Sequence, residues 1–380
     1  MEQLKTLEDI RRINASFPYT DPIKEWKNQG KKVIGWSCIY VPEEIIYAAG
    51  ILPVRVTGDS KQLQLDVANS YLYTSTCSFM RTCFELALSN QFDFLDGFVA
   101  STVCQGIIRL AEVWEHYLKV PVIYNVNVPR KNTERGQQFY SAELREFKHR
   151  LERLFDLEIS EQALMHAIEV YNEMRALLKK LYELKRDDAP PLSGAETIEI
   201  LNAAVRMPKD EFIMLLKDLL EEISISNRSL SDRTRIMITG SILNNYEFIK
   251  GIEDLGAIVV VDELCTGARY CWNPVDTSID TDPLEAISKR YLNGFPCARM
   301  VPPTDRINQV VGLAKEYRVK GVINQVIRNC APIAHDQPLL AEKLRENGVP
   351  VIELDLEYGE GFSGQIRTRV EAFLEKFIEM

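Results

Sequence analysis

Short apolar runs alternate with amphipathic stretches in the first and last thirds of this chain. Eight runs have strand length and are rich in β-branched residues: KKVIGW, ILPVRVTG, LDGFVAST, VPVIYNV, RTRIMITGS, AIVVVDE, VKGVINQV and VPVIELD. Segments with helical periodicity fill the intervals, for example VPEEIIYAAG and GIIRLAEVWEHYL. Strands that alternate with helices of this length predict βαβ units, and therefore parallel sheets.

The middle of the chain has a different pattern. Residues 141–228 are charged and periodic in the helical sense, with a break at DDAPPLSGAE (187–196). The fold class predicted is therefore α/β, with two flavodoxin-like or Rossmann-like parallel-sheet domains plus a helical segment. The predicted divisions are 1–140 for an N-terminal α/β domain with leading helices, 141–230 for the helical segment, and 231–380 for a C-terminal α/β domain.

Composition and charge narrow the choice of partners. The 380 residues carry a formal net charge of −10, which argues against nucleic acid or an anionic membrane as a partner, since both favour a basic surface. The N-terminus has no apolar signal region, and no run of about eighteen apolar residues occurs. We therefore expect a cytoplasmic protein.

The eight cysteines are the richest source of candidate chemistry. A reducing compartment keeps cysteines as thiols or metal ligands rather than disulfides. Four of them follow predicted strands, namely Cys38, Cys104, Cys265 and Cys330. Two others, Cys77 and Cys297, stand between strands, ahead of a helix. Ligands of open α/β sheets bind at the carboxyl ends of the strands, so these six thiols are expected to share that edge.

The two halves of the chain repeat this arrangement. In each half, one cysteine follows a strand, the next precedes a helix, and the third follows another strand. This repetition predicts two facing domains with three thiols each. Cys83 and Cys271 fall outside the pattern; Cys83 is expected in the core, whereas Cys271 is open to either interpretation.

The spacing of the cysteines limits the kind of metal site. No CxxC pair is present, which removes zinc ribbons, ferredoxin-like loops and thioredoxin-type motifs. Tertiary folding must therefore assemble any site, and thiolates without nearby histidine favour iron–sulfur clusters or zinc. The alternative is that the thiols are merely small buried side chains.

Several segments resemble the 2-hydroxyacyl-CoA dehydratase / benzoyl-CoA reductase family. They are GWSCIYVPEEIIYAAGILPVRV, STCSFMRTCFELALS, FLDGFVASTVCQGIIRLAEVW, RNCAPIAHDQPLLAEKL and GQIRTRVEAFLEKF. The resemblance covers nearly the whole chain. Members of the family bind one [4Fe-4S] cluster per subunit through three cysteines, which the resemblance assigns here to Cys77, Cys104 and Cys330.

One branch of that family, the double-cubane cluster proteins, has three further cysteines. The contexts of Cys38, Cys265 and Cys297 are similar to theirs. The resemblance therefore implies an oxygen-sensitive [8Fe-9S] double-cubane cluster, held within one chain of a homodimer by the same six thiols that strand position selects. Cys83 and Cys271 match neither set of ligands.

The resemblance also implies an activity. The chain would take electrons from an ATP-dependent iron–sulfur reductase and reduce a small unsaturated or nitrogen-containing molecule. The sequence has no GxxxxGK[ST] loop of its own, consistent with ATP being used by the partner. Two alternatives stay open: a [4Fe-4S] subunit of an acyl-CoA dehydratase or benzoyl-CoA reductase, and a non-enzymatic binding or electron-storage protein.

A few charged residues complete the candidates. His335, shortly after Cys330, is the candidate proton donor and the one catalytic residue proposed. Arg81 and Arg328 lie near ligand cysteines in sequence and are candidates to stabilise cluster charge; few cationic neighbours are expected otherwise. Glu43 and Glu44 are either helix-start charges or supports of the site.

Overall fold

The structure is a computed structural model that describes residues 4–59, 64–278 and 282–377. Its first sheet is parallel and has the strand order β2-β1-β3-β4. The strands are β1 Val33–Trp36, β2 Leu52–Arg55, β3 Gly97–Ser101 and β4 Val122–Val126. Every residue of β1, β2 and β3 is buried, as expected for parallel strands that are covered on both faces.

The second sheet repeats this topology. It is parallel, with the strand order β6-β5-β7-β8. The strands are β5 Thr234–Gly240, β6 Ala257–Glu263, β7 Gly321–Ile327 and β8 Val351–Leu356. The prediction of an α/β fold with two parallel sheets is confirmed. In each sheet the strand order reverses beside the first strand, and the carboxyl ends on either side of that point form the usual ligand crevice.

Helices cover both sheets. In the described ranges they are α1 Lys5–Ala15, α2 Asp21–Asn28, α3 Glu43–Ala48, α4 Ser78–Leu88, α5 Gln105–Tyr117, α6 Glu134–Phe155, α7 Glu161–Leu184, α8 Gly194–Ala204, α9 Lys209–Ile225, α10 Tyr246–Glu253, α11 Ala268–Cys271, α12 Pro283–Asn293, α13 Pro303–Glu316, α14 Ala331–Glu346 and α15 Gly364–Glu375. Across these ranges, no helix is both long enough and apolar enough to cross a membrane.

The middle segment contains one helix more than the periodicity indicates. This helix, α8, begins inside the proline-rich break, at Gly194. Its start has a capping box, in which Ser193 Oγ accepts from the Glu196 amide and the Glu196 carboxylate accepts from the Ser193 amide. That S-x-x-E signature is present in the sequence and marks a helix start, so the helix could have been predicted from it.

The hydrophobic core does not follow the predicted divisions. One apolar cluster includes Ile34 of β1, Leu178 of α7 and Ile238 of β5, so it joins both sheets through the helical segment. The leading helix α1 packs on that segment too, where Arg11 Nε lies 2.9 Å from a Glu199 carboxylate oxygen. The domain divisions at 140/141 and 230/231 stay a prediction.

Candidate metal centre

Three cysteines begin helices that follow strands or interstrand loops. Cys77 is the N-cap of α4, Cys104 of α5 and Cys330 of α14, and in the described chain none of the three sulfurs makes a capping hydrogen bond. A helix N-terminus carries partial positive charge and unpaired amides, so it favours an anion. Each of these sulfurs therefore lies where a negatively charged group is stabilised.

These three thiols form one group. Both Cys77 and Cys104 lie close to Gly106. A Cβ added to this glycine would be 3.7 Å from the Cys77 sulfur and 3.8 Å from the Cys104 sulfur. Burial, with charge repulsion from Cys330, raises the pKa of Cys77 to about 12. Burial also raises the pKa of Cys104 to about 12, with repulsion from Cys77 and Cys330. The first group is therefore Cys77, Cys104 and Cys330.

The other three thiols form a second group beside the first. Burial raises the pKa of Cys38 to about 12, and repulsion from Cys297 and Cys265 adds to the effect. The two groups also interact with each other. Charge repulsion from Cys297 contributes to the raised pKa of Cys104, and repulsion from Cys297 and Cys265 contributes to that of Cys330. The structure thus places all six sequence-selected thiols near one another, and their interactions run both within and between the two sets of three that the resemblance implies.

The donor set determines what kind of group fits. Within the described ranges, no three His, Cys, Asp or Glu residues are placed to hold a single metal ion. A cluster keeps its cysteines further apart than one ion does, because irons and sulfides lie between them. Six thiols, three of them at helix N-termini and no histidine among them, are chemically suited to an iron–sulfur cluster. The assignment of the six as ligands stays a prediction.

The internal repeat holds for two of its three pairs of cysteines. Cys77 and Cys297 both precede a helix, and Cys104 and Cys330 follow β3 and β7, which occupy the same place in their sheets. Cys38 follows β1, however, whereas Cys265 follows the edge strand β6. The two halves therefore supply their third thiol from different strands.

The expectation of few cationic neighbours is wrong. Arg55 Nη2 donates to the Cys265 sulfur at 3.1 Å. The guanidinium of Arg269 interacts electrostatically with Cys297 and Cys265, and that of Arg299 with Cys297 and Cys104. Sequence reasoning missed all three arginines. Arg299 and Arg269 follow Cys297 and Cys265 closely in the chain and could have been noted from that spacing, whereas only the tertiary fold brings Arg55 beside Cys265.

The two arginines selected from the sequence have different surroundings. Arg81 is buried, donates to the Thr76 carbonyl at 2.9 Å and interacts with Cys77. Arg328 is largely exposed and lies 3.5 Å from Glu357. Arg81 therefore fits the expected role, whereas Arg328 faces solvent.

A buried charge network supports the second group of thiols. It begins with Glu263 at the end of β6, whose carboxylate lies 2.9 Å from Arg269 Nε and 2.6 Å from Arg306 Nη2. Arg306 in turn pairs with Asp336 on α14. All four side chains are buried. The network therefore ties together the loops that carry Cys265, Cys297 and Cys330, and no local sequence pattern signals it.

Glu43 and Glu44 are buried ion-pair partners rather than surface helix-start charges. Glu43 lies 3.0 Å from Lys209 Nζ, and Glu44 pairs with Arg175 of α7. Tyr291 also donates to Glu44 at 2.8 Å. These contacts hold α3 against the helical segment. Because α3 follows the Cys38 loop, the two carboxylates help to position that loop.

His335 does not lie among the thiols' described partners. It is exposed on the first turns of α14, while its neighbour Asp336 is buried. Its proposed catalytic role stays a prediction. Cys83 is buried in α4 and Cys271 in α11, with the Cys271 sulfur 3.7 Å from the Ala268 carbonyl oxygen.

Comparison with known proteins identifies the family. Residues 38–377 match the family described as 2-hydroxyglutaryl-CoA dehydratase, D-component. This match extends over most of the chain and includes all six thiols. The chain belongs to this family, which confirms the resemblance seen in its sequence.

Three relatives show the range of proteins that this chain is similar to. One of the subunits of benzoyl-CoA reductase from Thauera aromatica is 28% identical, over 98% of both chains. The beta subunit of (R)-2-hydroxyglutaryl-CoA dehydratase from Acidaminococcus fermentans is 27% identical, over 97% of this chain and 98% of its own. The beta subunit of lactoyl-CoA dehydratase from Anaerotignum propionicum is 24% identical, over 91% and 92%. Reductase and dehydratase subunits both occur, so the comparisons support an enzyme without resolving its class.

Proposed function

We propose that this chain is an iron–sulfur reductase component that holds a double-cubane [8Fe-9S] cluster in its six facing thiols. It takes low-potential electrons from an ATP-dependent iron–sulfur reductase and passes them to a small molecule. The observation that supports the proposal is that six cysteines from both halves of the chain lie near enough to one another to interact electrostatically. A single cubane would leave one set of three unused.

Each half of the cluster would be held by three of the six cysteines. Cys77, Cys104 and Cys330 would hold one half, beside the N-termini of their helices. The other set, Cys38, Cys265 and Cys297, would hold the second half. When bound, such a cluster supplies single electrons at low potential.

Other groups would orient the second half of the site. The Tyr40 hydroxyl accepts a hydrogen bond from the Cys297 amide at 3.2 Å, which fixes the Cys297 loop. The Tyr140 hydroxyl in turn donates to the Tyr40 carbonyl at 2.5 Å. Burial of both rings keeps water from this side of the site.

The setting of the protein is part of the proposal. We place it in the cytoplasm of a cell that works without oxygen, as a homodimer. His335, exposed near Cys330, is proposed as the proton donor to the substrate.

The second candidate function is a [4Fe-4S] subunit of a 2-hydroxyacyl-CoA dehydratase or benzoyl-CoA reductase. The names of the relatives favour it, since all three are subunits of such enzymes. In that case Cys77, Cys104 and Cys330 would hold the cluster, and Cys38, Cys265 and Cys297 would be ordinary thiols.

Iron analysis of two serine variants separates these candidates. We expect Cys297→Ser, purified without oxygen, to lose about half or more of its iron, because the second half of the site needs this thiol. Cys271→Ser is the matched control, since Cys271 is also buried but outside the six, and it should retain its iron. Wild-type iron content in Cys297→Ser would reject the double cubane in favour of the single one.

A further inference from the structure

Arg55 has an unusual environment for a buried cation. It is the last residue of β2, and only 2% of its surface is exposed. Among the described residues no carboxylate pairs with it, and its Nε atom has no hydrogen-bond acceptor. A buried charge without a counter-charge costs several kcal/mol, roughly, so native proteins normally supply a partner.

The contacts of Arg55 point from one sheet to the other. Its Nη1 donates to the Cys265 carbonyl at 2.7 Å, and its Nη2 donates to the Cys265 sulfur at 3.1 Å. Behind it, the Trp36 ring lies 5.1 Å from the guanidinium carbon. The planar fork therefore fixes both the backbone and the side chain of Cys265, which follows β6 of the second sheet.

We propose that Arg55 is a positioning residue that orients the Cys265 sulfur into the site between the sheets and supplies the counter-charge to the anionic group held there. This inference rests on the proposed function. A hydrogen bond to a ligand sulfur and a nearby positive charge both favour the reduced state, in which the bound group carries one more negative charge. Arg55 thus raises the reduction potential of the Cys265 half of the site.

Three variants test this role. Arg55→Met keeps an unbranched apolar stem without the charge, and Arg55→Lys keeps the charge without the fork. Arg235→Met is the control, because Arg235 is also buried and donates to the backbone carbonyls of Tyr317, Asp187 and Lys185 near the start of β5. That end of the sheet lies opposite the thiols.

The main measurement is a redox titration of the anaerobically purified proteins with titanium(III) citrate. We expect the midpoint potential of Arg55→Met to be more negative than that of the wild type, and the potential of Arg55→Lys to lie between them. Retention of iron against a chelator should weaken by about tenfold in Arg55→Met. Arg235→Met should keep the wild-type potential. An unchanged midpoint potential in Arg55→Met, or an equal shift in Arg235→Met, would reject the proposal that Arg55 supplies the counter-charge.

Two measurements that start from the iron-free proteins separate this inference from the proposed function. Loading with the cluster should raise the melting temperature of Arg55→Met less than that of the wild type, because the variant has no cation to balance the anionic cluster. A crystal structure of iron-free Arg55→Met should show the Cys265 sulfur displaced. A wild type that binds no cluster would reject the proposed function and the counter-charge, and an undisplaced sulfur would reject the positioning role.

Discussion

Cys104 and Cys330 occupy equivalent positions in the two sheets. Cys104 is the N-cap of the helix after β3, and Cys330 is the N-cap of the helix after β7. Burial, followed by charge repulsion from Cys77 and then from Cys330, raises the pKa of Cys104. Two helix N-termini from different sheets therefore point their partial positive charges at one site, which suits an anionic cluster.

The buried network beneath the thiols should contribute strongly to stability. We expect Arg306→Met to lower the free energy of unfolding by about 3–5 kcal/mol, because Glu263 and Asp336 lose a common buried partner. Urea unfolding of the iron-free protein measures this. The control is Lys250→Met, which breaks an exposed pair with Asp254 on α10 and should cost about 0.5 kcal/mol. Equal losses in the two variants would contradict a structural role for the network.

The Glu44–Arg175 pair should make stability depend on pH. Burial alone would raise the pKa of Glu44, but Arg175 and Arg290 outweigh it and hold that pKa below its ordinary value of 4.5. The unfolded chain therefore binds this proton more readily than the folded one. The stabilisation from the pair is complete above pH 4.5 and declines as the pH falls below it.

A glutamine variant isolates this effect. We expect Glu44→Gln to be less stable at pH 7 by about 3–5 kcal/mol, because Arg175 is left buried without its partner. The difference between variant and wild type should shrink as the pH falls toward 4, measured by urea unfolding of the iron-free proteins. A difference that is constant with pH would show that the pKa of Glu44 is the same in the folded and unfolded chains, and would contradict the stabilisation of its carboxylate by Arg175.

Two glycines in helices should respond to alanine in opposite ways. A Cβ on Gly194, at the start of α8, would lie 2.5 Å from Val259 Cβ, so Gly194→Ala should destabilise the protein by about 1–3 kcal/mol. A Cβ on Gly312, within α13, would meet nothing within 4 Å, and Gly312→Ala should stabilise by about 0.5–1 kcal/mol. Thermal unfolding compares them, and a stabilised Gly194→Ala would disprove the close packing of α8 on β6.

The sequence predicts the parts of this structure that depend on local patterns. The strands β1, β2, β3, β6 and β7 are buried throughout, and β5 is buried from its second residue onward, so these apolar runs are recognisable without any partner. The cysteines were found because parallel topology brings strand ends to one edge. Arg55 and Arg306 were missed, since in the sequence Arg55 resembles a charge at the end of a strand and Arg306 a surface charge of α13. Their partners are distant in sequence, so only the tertiary fold reveals their roles.

The most direct test of the double-cubane proposal is a metal and sulfide analysis of the wild-type protein, purified without oxygen. We expect about eight irons and about nine acid-labile sulfides per chain, held by the two sets of three thiols. About four irons per chain would contradict the double cubane and would favour a subunit with one [4Fe-4S] cluster. Zinc, or no metal at all, would contradict the iron–sulfur assignment itself.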